Sequence, residues 1–264
     1  MSLDVALLVD NCSLQEWERQ AVSALLDSED LDVSLSLVVV NGNKRDASTS
    51  TRALKFLDEF SLWKCSTLLR VIKAQIVTPA WFRIRTDLND AVNTLETEIV
   101  FCDPVPADDF GNELSDDVVN RLSQTDLAVR FGFGILRGDA LDAPTYGVFS
   151  YHHGDLSEYR GRPAGFYELI HRQTEAGVTV QQLSDELDAG TVAATTQCDI
   201  SDAGSLQEVH DRQFSASPPL LPEAVRAVVA GDLPPQPEEL GDLYTTPTST
   251  DMIKYWKVRL ERLL

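Results

Sequence analysis

The chain has 264 residues, 42 acidic and 22 basic, giving a net charge of −20, and 43% of it is hydrophobic. That length and apolar content suit one large domain, or one domain with an appendage, and exclude general disorder. No stretch approaches the roughly 20 apolar residues that span a bilayer, and Met1–Asp10 lacks the basic and long apolar regions of a signal peptide. A cytoplasmic protein without a membrane partner is expected.

Lysine is scarce, 6 residues against 16 arginines. Acid excess with little lysine suits a halophilic source, where salt screens repulsion among surface carboxylates. The same charge opposes a nucleic-acid partner, since such binding rests on basic contacts to phosphate. Cys12, Cys65, Cys102 and Cys198 show no C-x-x-C spacing, so reduced thiols are expected and no metal site.

In chain order, Val5–Asp10 reads as a first strand, and Ser13–Leu26 as a helix opened by a Ser13-x-x-Glu16 capping box. Asp32–Val40 is a second strand ending at the turn signal Asn41-Gly42-Asn43. Ala53–Ile76 is long and apolar-periodic, and predicts one or two inserted helices for core packing or a homodimer surface. Thr97–Phe101 predicts a strand, Glu113–Leu122 a helix and Asp126–Phe133 another strand. Tyr146–Tyr151 is an apolar strand leading into a loop rich in His, Gly, Arg and Pro. Phe166–Thr174 reads as a helix, Val178–Leu183 and Thr191–Ile200 as strands, and Ser205–Val229 as helical. After a Pro-rich region, Tyr255–Leu263 forms a short amphipathic helix. Strands alternating with helices predict an α/β fold, a doubly wound and mostly parallel sheet flanked by helices. Ligands in such sheets lie at the carboxyl ends of the strands. The expected division is a domain over 1–230 and a tail over 231–264.

The chemistry concentrates in 147–195. His152 leaves the end of an apolar strand, partly desolvated and well oriented, and an imidazole suits acid–base work near neutrality. Asp188 follows it by 36 residues, in a turn before Gly190. A carboxylate aimed there can fix the imidazole tautomer and stabilise its charged form. His153 and Asp155 offer a more local alternative. Taken singly, His152 also fits a satisfied core histidine, and Asp188 a turn-forming aspartate. Arg160 and Arg162 either hold an anionic group or pin the loop.

The run G-x-x-x-x-H-x-x-x-L-x-x-Y-R-G, followed by G-V-T-V and L-D-x-G, occurs as Gly147, His152, Leu156, Tyr159-Arg160-Gly161, Gly177-Val178-Thr179 and Leu187-Asp188-x-Gly190. It resembles the formyltransferase N-terminal domain, which methionyl-tRNA, glycinamide ribonucleotide and sugar formyltransferases share with formyltetrahydrofolate deformylase. The resemblance runs from about residue 95 to 230. It implies a Rossmann-like fold and a transferase of one-carbon groups, with 10-formyltetrahydrofolate as donor and an amine as acceptor.

It also implies His152 and Asp188 as catalytic residues. Ser150 stands where the family has an asparagine that donates to the oxyanion; Asn43 or Gln197 are other sources of that amide. Gly134, Ile135 and Leu136, with Asp188, fall where the family holds the folate, and Arg160, Arg162, His153 and Asp155 are candidates for the acceptor. Gly154-Asp155-Leu156-Ser157 departs from the family's usual Ser-Leu-Leu-Pro. The methionyl-tRNA members carry a further barrel domain, whereas only about 35 residues follow the common region here, so a small amine such as an amino sugar or sugar nucleotide is the expected acceptor. A formyl hydrolase and a non-catalytic ligand-binding domain are the alternatives.

Overall fold

The structure is a computed structural model, and it describes residues 2–44, 80–92, 96–108 and 110–263. The helices predicted over Ala53–Ile76 lie outside the described residues.

Seven strands build the central sheet: β1 (Leu3–Val9), β2 (Val33–Asn41), β3 (Glu98–Cys102), β4 (Leu127–Arg130), β5 (Val148–His152), β6 (Glu175–Gln182) and β7 (Thr191–Asp199). Their order across the sheet is β7-β6-β5-β4-β1-β2-β3. From β5 to β3 all neighbours are parallel, while β6 and β7 pair antiparallel. The predicted mostly parallel, doubly wound sheet is present. The run Val5–Val9 and the second half of β2 are buried on both faces, which is why they read as unbroken apolar segments rather than alternating ones.

The principal helices are α1 (Glu16–Leu26), α2 (Asp116–Leu122), α3 (Phe166–Ile170), α4 (Leu206–Ala216), α5 (Leu220–Ala230) and α6 (Ser249–Leu263). On one face Val22 and Leu25 of α1 and Leu221 and Val225 of α5 pack with Leu7, Val38, Val129 and Phe149 of the sheet. On the other, Val118 and Leu122 of α2 pack with Leu8, Val39, Ala128 and Val148. Each such fully buried side chain stabilises the fold by about 1.5–3 kcal/mol. Among the described residues, no helix is long and apolar enough to cross a membrane.

Several boundaries differ from expectation, among them the tail helix, which begins at Ser249 rather than Tyr255; three of the differences have a local physical reason. Ser13–Gln15 is a short strand paired with Arg85–Asp87, so α1 starts at Glu16. Its capping box joins Gln15 to Glu18, whose carboxylate accepts from the Gln15 amide at 2.7 Å. The helix expected over Ser205–Val229 is two, because Pro218 and Pro219 lack the N–H groups that would continue α4. The helix expected over Phe166–Thr174 stops at Ile170, since Arg172 turns into the left-handed region (φ 60°) and β6 begins at Glu175.

The tail packs back on the domain. Asp242–Tyr244 pairs in parallel with Tyr159–Gly161, and Met252, Tyr255 and Val258 of α6 join a third core with Phe166, Leu169 and Val209. These contacts brace the loop after β5. Strand order reverses at β1, which has β2 on one side and β4 on the other. The ends of β1, β4 and β5 therefore border the crevice where doubly wound sheets bind ligands.

Candidate active site

Strand alternation sorts the residues at this end of the sheet. Arg130 pairs with Ser150, which also pairs with Gln181, and His152 pairs with Thr179. These side chains share the face of α2, while Tyr151 and His153 take the other.

His152 is buried, 7% exposed. Its Nε2 lies 2.8 Å from the Tyr159 carbonyl oxygen. A carbonyl only accepts, so Nε2 carries a proton, and in the neutral ring Nδ1 holds the lone pair. Nδ1 lies 3.6 Å from Oδ1 of Asp188. A proton taken up at Nδ1 therefore arrives beside a carboxylate. Gly154 makes this approach possible, because a Cβ there would lie 2.6 Å from His152 Nε2 and 2.7 Å from the Tyr159 oxygen.

Asp188 is held from two sides. Its Oδ2 accepts from the Gly161 amide at 3.0 Å, and its Oδ1 from Gln181 Nε2 at 3.5 Å. Its φ of 44° places it in the left-handed region, which aspartate enters more readily than most residues. Gln181, 1% exposed, also accepts from the Gly190 amide at 3.0 Å. A Cβ on Gly190 would lie 2.0 Å from the Gln182 carbonyl oxygen, so the L-D-x-G turn needs glycine to close on β6.

A cavity of about 550 Å³ opens at this point, lined by His152, Asp188, Arg130, Arg162, Arg83 and Phe214 among others. One wall is aromatic: Phe82 stacks on Phe214 at 4.4 Å, and Phe214 leans on His153 at 4.3 Å. Desolvation holds His153 down to about pKa 3, and its Nε2 lies 3.1 Å from the Ser217 hydroxyl. It acts as a neutral ring in the wall.

The other predicted residues divide. Arg162 lines the cavity and is exposed. Arg160 instead donates to the carbonyls of Gly241 (2.8 Å) and Leu187 (3.3 Å), pinning the Asp188 turn to the tail. Asp155 closes a local turn by accepting from the amide and hydroxyl of Ser157. The Ser150 hydroxyl, 3% exposed, is engaged with Arg130 on both sides: it donates to the backbone carbonyl at 3.2 Å and accepts from Nη2 at 2.9 Å. Asn43 donates to the Pro104 carbonyl, and Gln197 lies on the outer strand β7; neither lines the cavity.

Gly134, Ile135 and Leu136 lie in the loop after β4. This loop is fixed by Asp10, which accepts from the Phe133 amide at 2.7 Å, and by Asn112, whose amide donates to the Ile135 carbonyl at 2.8 Å. Leu136 is core and Ile135 is 42% exposed. Just beyond, Arg137 pairs with Asp185 at 3.3 Å, so the loop after β4 is tied to the segment that carries Asp188.

Sequence reasoning gave no site role to Gln181 or the Tyr159 carbonyl. It placed Arg130 only at the end of the strand that resembles the family's pterin cradle, without a catalytic role; its signal is a lone charge closing the buried run Leu127-Ala128-Val129.

Residues 105–225 match the family described as Formyl transferase. Methionyl-tRNA formyltransferase of Bacillus subtilis (strain 168) is 32% identical over 115 residues, 43% of this chain and 36% of that protein. The chain thus matches little more than a third of the length of such curated relatives. Among solved structures, glycinamide ribonucleotide transformylase 1 from Symbiobacterium toebii superposes with a TM-score of 0.56 at 16% identity, covering 92% of this chain and 94% of its own. The N-formyltransferase of Helicobacter canadensis, solved with folinic acid and dTDP-3-aminofucose, gives 0.57 at 11% identity, covering 97% and 80%. These structural likenesses extend the shared fold over nearly the whole chain. Residues 105–225, which carry His152 and Asp188, are thus similar to the formyl transferase family, and the fold resemblance extends beyond them.

Proposed function

We propose that the protein transfers a formyl group from a formylated reduced folate to the amine of a small, anionic acceptor. The observation that carries this reading is the pairing of His152 Nδ1 with Asp188 at 3.6 Å at the wall of the cavity. The amine would approach Nδ1, which takes its proton, and Asp188 would stabilise the imidazolium. The Tyr159 carbonyl keeps the ring oriented in both charge states.

The cavity volume falls within the roughly 300–1,000 Å³ usual for small-ligand sites. Three arginines and one carboxylate line it in a chain of net charge −20. That local reversal of sign suits an amine carrying phosphate or carboxylate, such as a sugar nucleotide, and Arg162 and Arg83 stand where they can meet it. The resemblance assigns the pterin end of the donor to the loop Gly134–Leu136, and the Arg137–Asp185 pair that ties this loop to the segment carrying Asp188 supports that reading. Relatives solved with folinic acid support that donor.

The test is a thermal shift with folinic acid in high salt, followed by formyl-folate consumption in the presence of amino sugars and sugar nucleotides. Binding at a hundred times Kd stabilises the fold by about 2.7 kcal/mol. The wild type is expected to show that shift and to lose turnover in H152N. No shift at saturating folinic acid removes the folate donor.

A further inference from the structure

The attack that the site is built for creates charge on an oxygen. The amine nitrogen bonds to the formyl carbon, the C=O electron pair moves onto oxygen, and the amine proton passes to His152 Nδ1. When the oxygen pair re-forms the carbonyl, the bond to the folate nitrogen breaks and that nitrogen takes the proton. Some donor must hold the oxygen anion in between. Ser150 has no donor left, because its single hydroxyl proton is directed to the Arg130 carbonyl.

Arg130 is the group beside it. Of its five N–H groups, those on Nη1 reach the carbonyls of Gly132 and Gly134, and one on Nη2 reaches Ser150 Oγ. The second proton on Nη2 and the one on Nε remain, and Nε is buried with no hydrogen-bond partner. Among the described residues no carboxylate forms an ion pair with the guanidinium. Yet it lines the cavity with His152 and Asp188, on the same sheet face as His152 and one strand away. Asp188 and Asp10 act on this desolvated cation only through space, without an ion pair, so it still favours an anion in that cavity.

We propose that Arg130 supplies the oxyanion donor of this site, with Ser150 serving to position its guanidinium; the proposal rests on the formyl-transfer reading. Burial lowers the Arg130 pKa to about 10, helped by the nearby Arg162 charge, so it stays charged near neutrality. The lone charge at the end of β4 and the serine at the start of the Ser150-x-His152 pattern are then one device, in which a guanidinium replaces a side-chain amide.

The experiment compares wild type, R130M, R130K, S150N and R130M/S150N in two assays. The first is binding of folinic acid and of a folate analogue with a trifluoromethyl ketone in place of the formyl group, which adds water to form a tetrahedral gem-diol visible by fluorine NMR. The second is steady-state turnover. R130M is expected to bind folinic acid within about threefold of wild type, to lose the hydrated ketone by about 10²–10³, and to lose the same factor in kcat at unchanged acceptor KM. R130M/S150N is expected to recover at least about tenfold over R130M, because the asparagine restores an amide donor.

Should R130M fail to fold, R130K answers the question: its ammonium lacks the fork geometry, so hydrated-ketone affinity falls by at least about tenfold. Undiminished affinity for the hydrated ketone in R130M or R130K overturns the proposal. So does a raised acceptor KM with unchanged kcat, which would make Arg130 a grip on the acceptor. A wild type that binds neither folate overturns the formyl-transfer reading, and this proposal with it.

Discussion

His152 and His153 are neighbours in sequence and opposites in environment. His152 faces the polar side of the sheet, with a carbonyl at one ring nitrogen and a carboxylate near the other. His153 faces Trp17, Tyr151 and Phe214 and is held neutral by their bulk. A one-residue step along a strand turns a side chain to the other face, and here it separates the proposed base from a packing ring. The role proposed for His152 depends on β5, β6 and the Asp188 turn, which bring acceptors to its ring.

The largest expected effect tests that contrast directly. H152N should lose about 10³–10⁴ in kcat with little change in folinic acid affinity, because it removes the proton acceptor and leaves the cavity wall. D188N should lose less, about 10²–10³, since the amide can still occupy the turn but no longer stabilises an imidazolium; steady-state kinetics and folate titration check both. Equal activity in H152N and wild type would erase the distinction between the two rings.

H153F should leave kcat within a few-fold and act on stability instead. With a folded pKa of about 3 against an unfolded value of about 6.5, His153 contributes stability above 6.5 that is lost as pH falls from there towards 3. H153F should remove that loss, on the order of 3 kcal/mol after allowing for partial exposure, in urea unfolding at pH 7 and pH 4.5.

Glu168 has the opposite sign. It is 3% exposed, lines a water-sized pocket beside His153, and leaves Oε1 without a hydrogen-bond partner. Burial raises its pKa to about 7. The folded state then favours the protonated acid, and stability falls as pH rises from the ordinary carboxylate value through 7. E168Q should remove up to about 3 kcal/mol of that fall, read as a narrowing difference from wild type between pH 8 and pH 5. A constant difference would show that Glu168 is ionised in the folded protein.

The parallel sheet was legible because buried strands such as Val5–Val9 and Leu37–Val40 are unbroken apolar runs. The pairing of His152 with Asp188 was legible through the motif spacing that resembles the formyltransferase domain, since neither residue is distinctive alone. Other features depended on partners far away in the chain. Arg160 looked like an anion clamp, but its partners are the carbonyls of Leu187 and Gly241, and no local pattern places those. The break at Pro218-Pro219 was readable in principle, yet the helical periodicity on either side concealed it.

By itself the sequence determined the fold class, the strand that ends in histidine and the turn that carries aspartate, since each follows from local periodicity, glycine geometry and motif spacing. Only the tertiary structure decided which groups remain free to do chemistry. Hydrogen-bond capacity is shared out across strands: Ser150 spends its proton on Arg130, Gln181 holds Asp188, and the Tyr159 carbonyl fixes the tautomer of His152. The lone pair at Nδ1 of His152 and the guanidinium of Arg130 are what that sharing leaves beside the cavity.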